Sequence, residues 1–290
     1  MTKTEVRNLA ASIHQRLLNV AAESDRPFNE VLQYFAMERF LYRLSSSEHA
    51  QSFVLKGALL FRVWDVPDSR ATRDIDFLAF TSNSLKNLAG MFREICSIEG
   101  NDGLEFDPDS VTANAIKENA EYQGARVRFT GLLGKARITM QADVGFGDRI
   151  HPAAVQADYP VILDLPAPSI CTYPAETVIA EKVEAMIHLG TLNSRMKDFY
   201  DIWRLSREIE FDPAVLSEAI RLTLKNRETK LIACNELVAD LLQNDTFEKQ
   251  WSAFLTKTRV SGPESFREVL DQIAIFLTPI FDRAARLDLD

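Results

Sequence analysis

Asp74 and Asp76 stand two residues apart in Thr72-Arg73-Asp74-Ile75-Asp76-Phe77, inside a run to Phe80 that reads as a β-strand. Side chains alternate faces along a strand, so both carboxylates leave on one side while Ile75 enters the core. Two carboxylates this close repel unless a cation lies between them or one keeps its proton. The usual solution is Mg²⁺, a hard cation held by one or two carboxylates together with substrate phosphates. Asp143 is a third acidic position, near the end of the strand-like run Ile138 to Gly145. A strand that carries it beside the Asp74 strand brings three carboxylates together, the set that metal-assisted transfer from a triphosphate requires. Taken alone, Asp143 serves equally well as a turn or cap residue. Asp148, after Gly147, is a second acidic candidate nearby.

Other candidates sit on helical patterns. Lys182 lies among Val178, Ile179, Val183 and Met186. A lysine at the edge of such a stripe buries its stem and presents its ammonium to an anion. Asp198 and Asp201 are three apart and share one helix face, with Arg195 three before Asp198. By themselves these residues read as a surface salt-bridge ladder. The best basic cluster for a phosphate backbone is Arg221, Lys225, Arg227 and Lys230, diluted by Glu218 and Glu228. The four histidines, His14, His49, His151 and His188, show no metal spacing and receive no catalytic role. No Ser–His–Asp or Cys–His set is visible, although such sets need not be close in sequence.

The elements that position these residues follow from periodicity. Val6, Leu9, Ile13, Leu17 and Val20 predict a first helix. Pro27-Phe28-Asn29 opens a second, with Val31, Phe35, Phe40 and Leu41 on its buried side. A third helical segment is expected through Phe53, Leu55, Leu59, Leu60 and Val63. After the Asp74 strand, Ser82 to Ile98 reads as helix, capped by Ser82 or Ser84. Ala125 to Thr130 and Lys135 to Phe146 predict a hairpin joined by Gly131-Leu132-Leu133-Gly134, and Pro160 to Leu163 one more short strand. Pro166 to Pro168 marks a boundary. Beyond it, helices are expected over Ala175 to Leu189, stopped by Gly190, then Met196 to Glu208, Pro213 to Leu224, Phe247 to Leu255 and Glu264 to Leu287. The domain reading is residues 1–165 as a catalytic half with N-terminal helices, and 166–290 as a helical half that supplies Lys182 and Asp198.

Composition sets the bounds. The chain has 290 residues, 46% of them hydrophobic, enough to pack a core throughout. A net charge of −9 argues against indiscriminate coating of nucleic acid, so such contacts must come from local clusters. Cys96, Cys171 and Cys234 are scattered and odd in number, which fits idle thiols in a reducing compartment. No apolar run approaches the roughly 20 residues of a membrane span, and the N-terminus lacks a signal-peptide core. The expected location is the cytoplasm, with no membrane partner.

Five motifs in order resemble the AbiEii/AbiGii toxin family of nucleotidyltransferases, which includes the mycobacterial MenT toxins. They are Phe53-Val54-Leu55-Lys56-Gly57-Ala58, Arg70-x-Thr72-x-Asp74-Ile75-Asp76-Phe77, Asp143-Val144-Gly145-Phe146-Gly147-Asp148, Glu181-Lys182-x-x-Ala185, and Lys197-Asp198-Phe199-Tyr200-Asp201. The resemblance implies an α+β protein: a nucleotidyltransferase-fold mixed sheet with N-terminal helices and a C-terminal helical bundle. It implies Mg²⁺ on Asp74 and Asp76, beside which Asp143 is the third metal candidate, and nucleotide contacts from Lys56, Gly57, Ala58, Arg70, Thr72 and Lys182. Asp198 is implied as an essential acidic residue. The implied activity is transfer of a nucleoside monophosphate from an NTP to an acceptor, foremost the 3′ end of tRNA, in a toxin–antitoxin or phage-defence setting with a cognate antitoxin. Transfer to a protein or small molecule, and a non-catalytic NTP- or antitoxin-binding module, are the alternatives. Two positions depart from the pattern. Ala58 stands where a Gly or Ser is usual, and Leu189 where a basic residue is frequent; Arg70, Arg73, Arg195 and Lys197 are candidates to supply the missing charge.

Overall fold

The structure, a computed structural model, describes residues 3–67, 70–117 and 123–287. It divides into two compact units: Met1–Asp65, Ala71–Gly147 and Gln156–Thr172 form the first, and Val66–Arg70, Asp148–Val155 and Tyr173–Asp290 the second.

The first unit holds a mixed sheet of seven strands. In chain order the elements are α1 (Lys3–Glu23), α2 (Phe28–Ser45), β1 (Phe53–Lys56), α3 (Leu60–Val63), β2 (Asp74–Ala79), α4 (Leu85–Cys96), β3 (Leu104–Lys117), β4 (Gln123–Leu133), β5 (Ala136–Phe146), β6 (Val155–Asp158) and β7 (Ser169–Thr172). The strand order is β3-β4-β5-β2-β1-β7-β6, with β2 parallel to β5 and β1 antiparallel to β2. One face of this sheet packs on α2 and α4 through Phe40, Phe53, Phe77, Phe92, Phe106 and Phe129, all buried and in ring-to-ring contact. Ile75, Phe77, Ala142 and Val144 are buried, whereas the alternate residues Asp74, Asp76, Gln141 and Asp143 are only half-buried.

Several expectations change. Phe53 to Lys56 is a strand, not the start of a helix; three successive buried residues fit a central strand as well as a helix, and Gly57 at φ +75° ends it. Pro160 to Leu163 forms no strand, and the short strands fall on either side of it. β3 was not expected at all, because Pro108 and the acidic residues Asp107 and Asp109 break its alternation at a register shift between Asp107 and Thr112. In α1, Ile13 and Leu17 are buried as expected, while Val6 lies outside the described side chains.

The second unit is helical. It contains α5 (Ala175–Leu189), α6 (Met196–Glu208), α7 (Pro213–Asn226), α8 (Cys234–Leu241), α9 (Thr246–Thr258) and α10 (Phe266–Leu287). α5 stops at Gly190, which takes φ +48°, and α7 starts at Pro213 with the Asp212 carboxylate accepting from the Ala214 N–H. α8 has only eight residues, too few for the periodicity to register. Among the described residues no helix is long and apolar enough to cross a membrane.

Buried charge in the first unit makes its stability depend on pH. Glu38 and Arg39 are both fully buried; their Oε1 and Nε lie 3.0 Å apart without the alignment of a hydrogen bond. The other Glu38 oxygen accepts from the Ile162 N–H at 2.7 Å. Burial pushes the Glu38 carboxyl up to about 7, against the partial relief given by Arg39. The folded chain therefore keeps a proton that the unfolded chain releases near pH 4.5. Stability from this group is fully present below that pH and is lost as the pH rises toward 7, by up to about 3 kcal/mol. Denaturant unfolding between pH 5 and 8 should show that slope, and Glu38→Gln should flatten it; an equal slope in the variant assigns the dependence to other groups.

Candidate active site

The registers of four strands set a charged row across the half-buried face. Lys56 on β1 pairs with Asp76 on β2, Asp76 with Asp143 on β5, and Asp143 with Arg126 on β4. Residues in register share a face, so the order across the sheet is cation, carboxylate, carboxylate, cation. One step along, Asp74 pairs with Gln141 and Gln141 with Arg128. Asp74 and Asp76 thus lie on the same side of β2. Arg126 forks onto Asp143, Nε to Oδ1 at 2.8 Å and Nη2 to Oδ2 at 2.7 Å. That hydrogen bond, helped by the nearby Asp74 and Asp76 charges, holds the Arg126 guanidinium above its ordinary range against the cost of burial.

Local structure makes room for this row. Gly57, in a 3₁₀ turn directly after Lys56, has a left-handed backbone, and a Cβ there would overlap the Asp76 carboxylate, 2.8 Å from its Cγ. Ala58 follows, nearly buried. Upstream of β2, the Thr72 N–H donates to the Tyr34 hydroxyl oxygen at 3.1 Å, and Gln33 Nε2 donates to the carbonyls of Arg73 and Thr139, both at 3.3 Å. Two neighbouring α2 side chains therefore fix the backbone that enters the acidic strand and the backbone of the strand beside it. The donors on this face, the carboxylates of Asp74, Asp76 and Asp143, are hard oxygen ligands of the type a divalent cation takes.

The second unit carries its own charged cluster. Lys182, from the middle of α5, reaches Asp198 at 2.8 Å and Asp201 at 2.7 Å, both on the first turns of α6. Arg70 forks onto Asp201 with two bonds of 2.9 Å, and Arg195 lies 3.9 Å from Asp198. Asp198 and Asp201 are buried, so the surface ladder suggested by their spacing is instead an interior ion network. Burial pulls the Lys182 ammonium down, but Asp198 and Asp201 outweigh it and keep it charged, above the usual lysine range. Burial pushes the Asp201 carboxyl up, and Arg70 and Lys182 outweigh that to hold it low. Asp201 thus emerges as the hub of the cluster, with Asp198 beside it.

Two of the four residues in the basic cluster read from the sequence, Arg221 and Arg227, are engaged by carboxylates. Arg227 contacts Asp148 and Glu184 at 2.8 Å each and Glu181 at 3.7 Å, while Thr229 donates to Glu184 at 2.7 Å. Arg221 forks onto Glu218 at 2.7 and 2.8 Å. Asp148, the second acidic candidate, is a partner of Arg227. A separate trio, Glu48, His49 and Glu94, gathers its ligand-type atoms within 4.8 Å on the surface, with His49 and Glu94 in contact at 2.6 Å. Sequence spacing missed it because Glu94 comes from α4.

A mixed sheet with flanking helices, carrying a carboxylate pair on one strand and a third carboxylate on its parallel neighbour, is consistent with a nucleotidyltransferase-like fold. The family model for the nucleotidyl transferase AbiEii toxin, of type IV toxin–antitoxin systems, matches residues 39–272, and the chain belongs to that family. Among solved structures, JHP933 from Helicobacter pylori is 14% identical, with 89% of this chain and 94% of that one covered and a TM-score of 0.49. The crystal structure of a putative nucleotidyltransferase from H. pylori gives 14% identity, 89% and 96% coverage, and a TM-score of 0.49. Likeness of that degree decides neither fold nor activity. No curated protein matches the chain.

Two substitutions test the construction. Gly57→Ala combines a strained φ with displacement of the Asp76 carboxylate and should cost about 1–3 kcal/mol; an unchanged denaturation midpoint would show that the turn relaxes freely. Asp201→Asn removes the carboxylate on which Arg70 forks and leaves Lys182 to Asp198 alone, and should cost about 3–5 kcal/mol. Lys197→Ala, at an exposed position of the same helix, should stay within about 0.5 kcal/mol of the parent. Equal losses for the two would deny Asp201 its central place.

Proposed function

We propose that this protein transfers a nucleoside monophosphate from an NTP to an RNA acceptor, the 3′ end of tRNA foremost, as the toxin of a toxin–antitoxin or phage-defence pair in the cytoplasm. The observation that carries the reading is the register of Asp76 with Asp143 on adjacent parallel strands, with Asp74 two residues along the same face. In this reading Asp74, Asp76 and Asp143 hold Mg²⁺. The metal, when bound, neutralises charge on the triphosphate. Lys56 flanks the same row and, with the main-chain N–H groups of the Gly57–Ala58 turn and with Thr72, faces the nucleotide. Lys182 contributes its retained positive charge to phosphate binding, Arg70 supports it through Asp201, and Asp198 is the second essential acid. A cognate antitoxin is the expected protein partner.

A second acceptor class keeps a place because Arg221 and Arg227 are engaged by carboxylates. That removes half of the basic cluster an RNA backbone would use and favours a protein hydroxyl or a small molecule as the competing acceptor. A non-catalytic binding module is the remaining alternative.

Purified protein incubated with each labelled NTP, Mg²⁺ and total tRNA should label the RNA. Label on protein or on a small molecule, with RNA blank, selects the second reading. Asp76→Ala should lower transfer by about a thousand-fold, corresponding to the several kcal/mol a metal supplies to a phosphoryl transition state. Toxicity that survives Asp76→Ala in a folded protein would assign the biological effect to binding alone.

A further inference from the structure

We propose that Arg126 is the built-in counter-ion of the metal face: it holds Asp143 when no divalent cation is bound and competes with that cation for the carboxylate. The inference rests on the nucleotidyl-transfer reading above. Arg126 was not among the residues picked out by motif. It lies on β4 in register with Asp143 and engages both carboxylate oxygens in a fork, at 2.8 and 2.7 Å. On its other side Asp143 is in register with Asp76, which is in register with Lys56. A divalent cation that joins Asp76 and Asp143 adds two positive charges next to a guanidinium already placed there.

The exposure of the pair decides what Arg126 can do. The side chains of Arg126 and Asp143 are 32% and 17% exposed, unlike the sealed Arg43–Asp102 pair at 1% and 0%. A sealed pair is fixed by the cost of leaving either charge unpaired in the interior. A half-open pair exchanges its partner for water or a cation at modest cost. Arg126 is thus a positioning residue that acts through Asp143. A permanent structural clamp is the opposing role, and the two differ in sign. If Arg126 competes, its removal strengthens metal binding. If it only orients Asp143, its removal weakens metal binding.

Thermal unfolding of the full chain in EDTA and across a Mg²⁺ titration, without nucleotide, separates the two. Arg126→Gln should melt lower than wild type in EDTA, because Asp76 and Asp143 then face each other with one fewer counter-charge. It should gain more on Mg²⁺ addition, with half-maximal stabilisation at about three- to ten-fold lower Mg²⁺. Arg126→Lys, which keeps the charge but not the fork, should fall between the two, and it decides by the same sign if the glutamine variant does not fold. A metal requirement that is unchanged or raised in the variants overturns the inference, as does a melting temperature blind to Mg²⁺ in all three proteins. Transfer by the wild type is read separately. Absent transfer with the expected metal response removes the proposed activity and leaves the role of Arg126 standing; active transfer with an unchanged metal requirement does the reverse.

Discussion

Carboxylates in register on neighbouring strands stand about 4.8 Å apart at the backbone, and at an effective dielectric near 20 two such charges oppose each other by about 3 kcal/mol. Asp76 and Asp143 are in that position. The rest of the first unit is arranged around this repulsion. Lys56 and Arg126 flank the pair in the same row. Gly57 withdraws a side chain from the space beside Asp76. Gln33 and Tyr34 clamp the backbone that delivers the acidic strand. An aromatic core on the opposite face anchors Phe77 and Val144, so the strands cannot slide apart to separate the charges.

The second unit solves a related problem in the opposite way. Asp198 and Asp201 also repel, but there the cations are brought inside. The Lys182 and Arg70 side chains complete a network in which Asp201 is 1% exposed. Lys182 and Arg70 balance the two carboxylates, and the more exposed Arg195 lies 3.9 Å from Asp198 at its edge. Such a network specifies a geometry more than it stabilises the fold, since the cost of removing its charges from water offsets most of their attraction. The acidic row on the sheet remains half-open by comparison, with Asp143 at 17% exposure. A half-open set of charges exchanges one partner for another at lower cost than a sealed one, which keeps its side chains in register.

What the sequence disclosed depended on the range of the interaction. Helices α5 and α6 were legible to the residue because Pro174, Gly190 and the apolar stripe are local signals. Asp74 and Asp76 were legible on one face because strand alternation is local as well. The hairpin was legible, but its turn was not placed correctly. Ending the strands at Thr130 and Lys135 would set Arg126 opposite Thr139. The actual two-residue turn at Gly134-Lys135 sets it opposite Asp143. A shift of four residues preserves the face and so leaves the hydrophobic pattern unchanged, which is why alternation could not detect it. The neutralisation of Arg221 and Arg227 had a similar cause. Glu218 is local and was noticed, whereas Asp148 and Glu184 come from distant parts of the chain.

The departure at Ala58 takes on a different weight once its surroundings are known. Ala58 is 8% exposed, so its methyl group packs into the unit and projects little into solvent. A serine hydroxyl at that depth would need its own hydrogen-bond partner or lose free energy on burial. Alanine avoids that requirement. Gly57 is the more constrained position, because a side chain there is strained at φ +75° and would displace the Asp76 carboxylate. The Lys-Gly step therefore carries the physical content of the motif. The residue after it is free to be any small side chain that fits the core, so the chemistry of the row depends on the glycine and the two strands it joins.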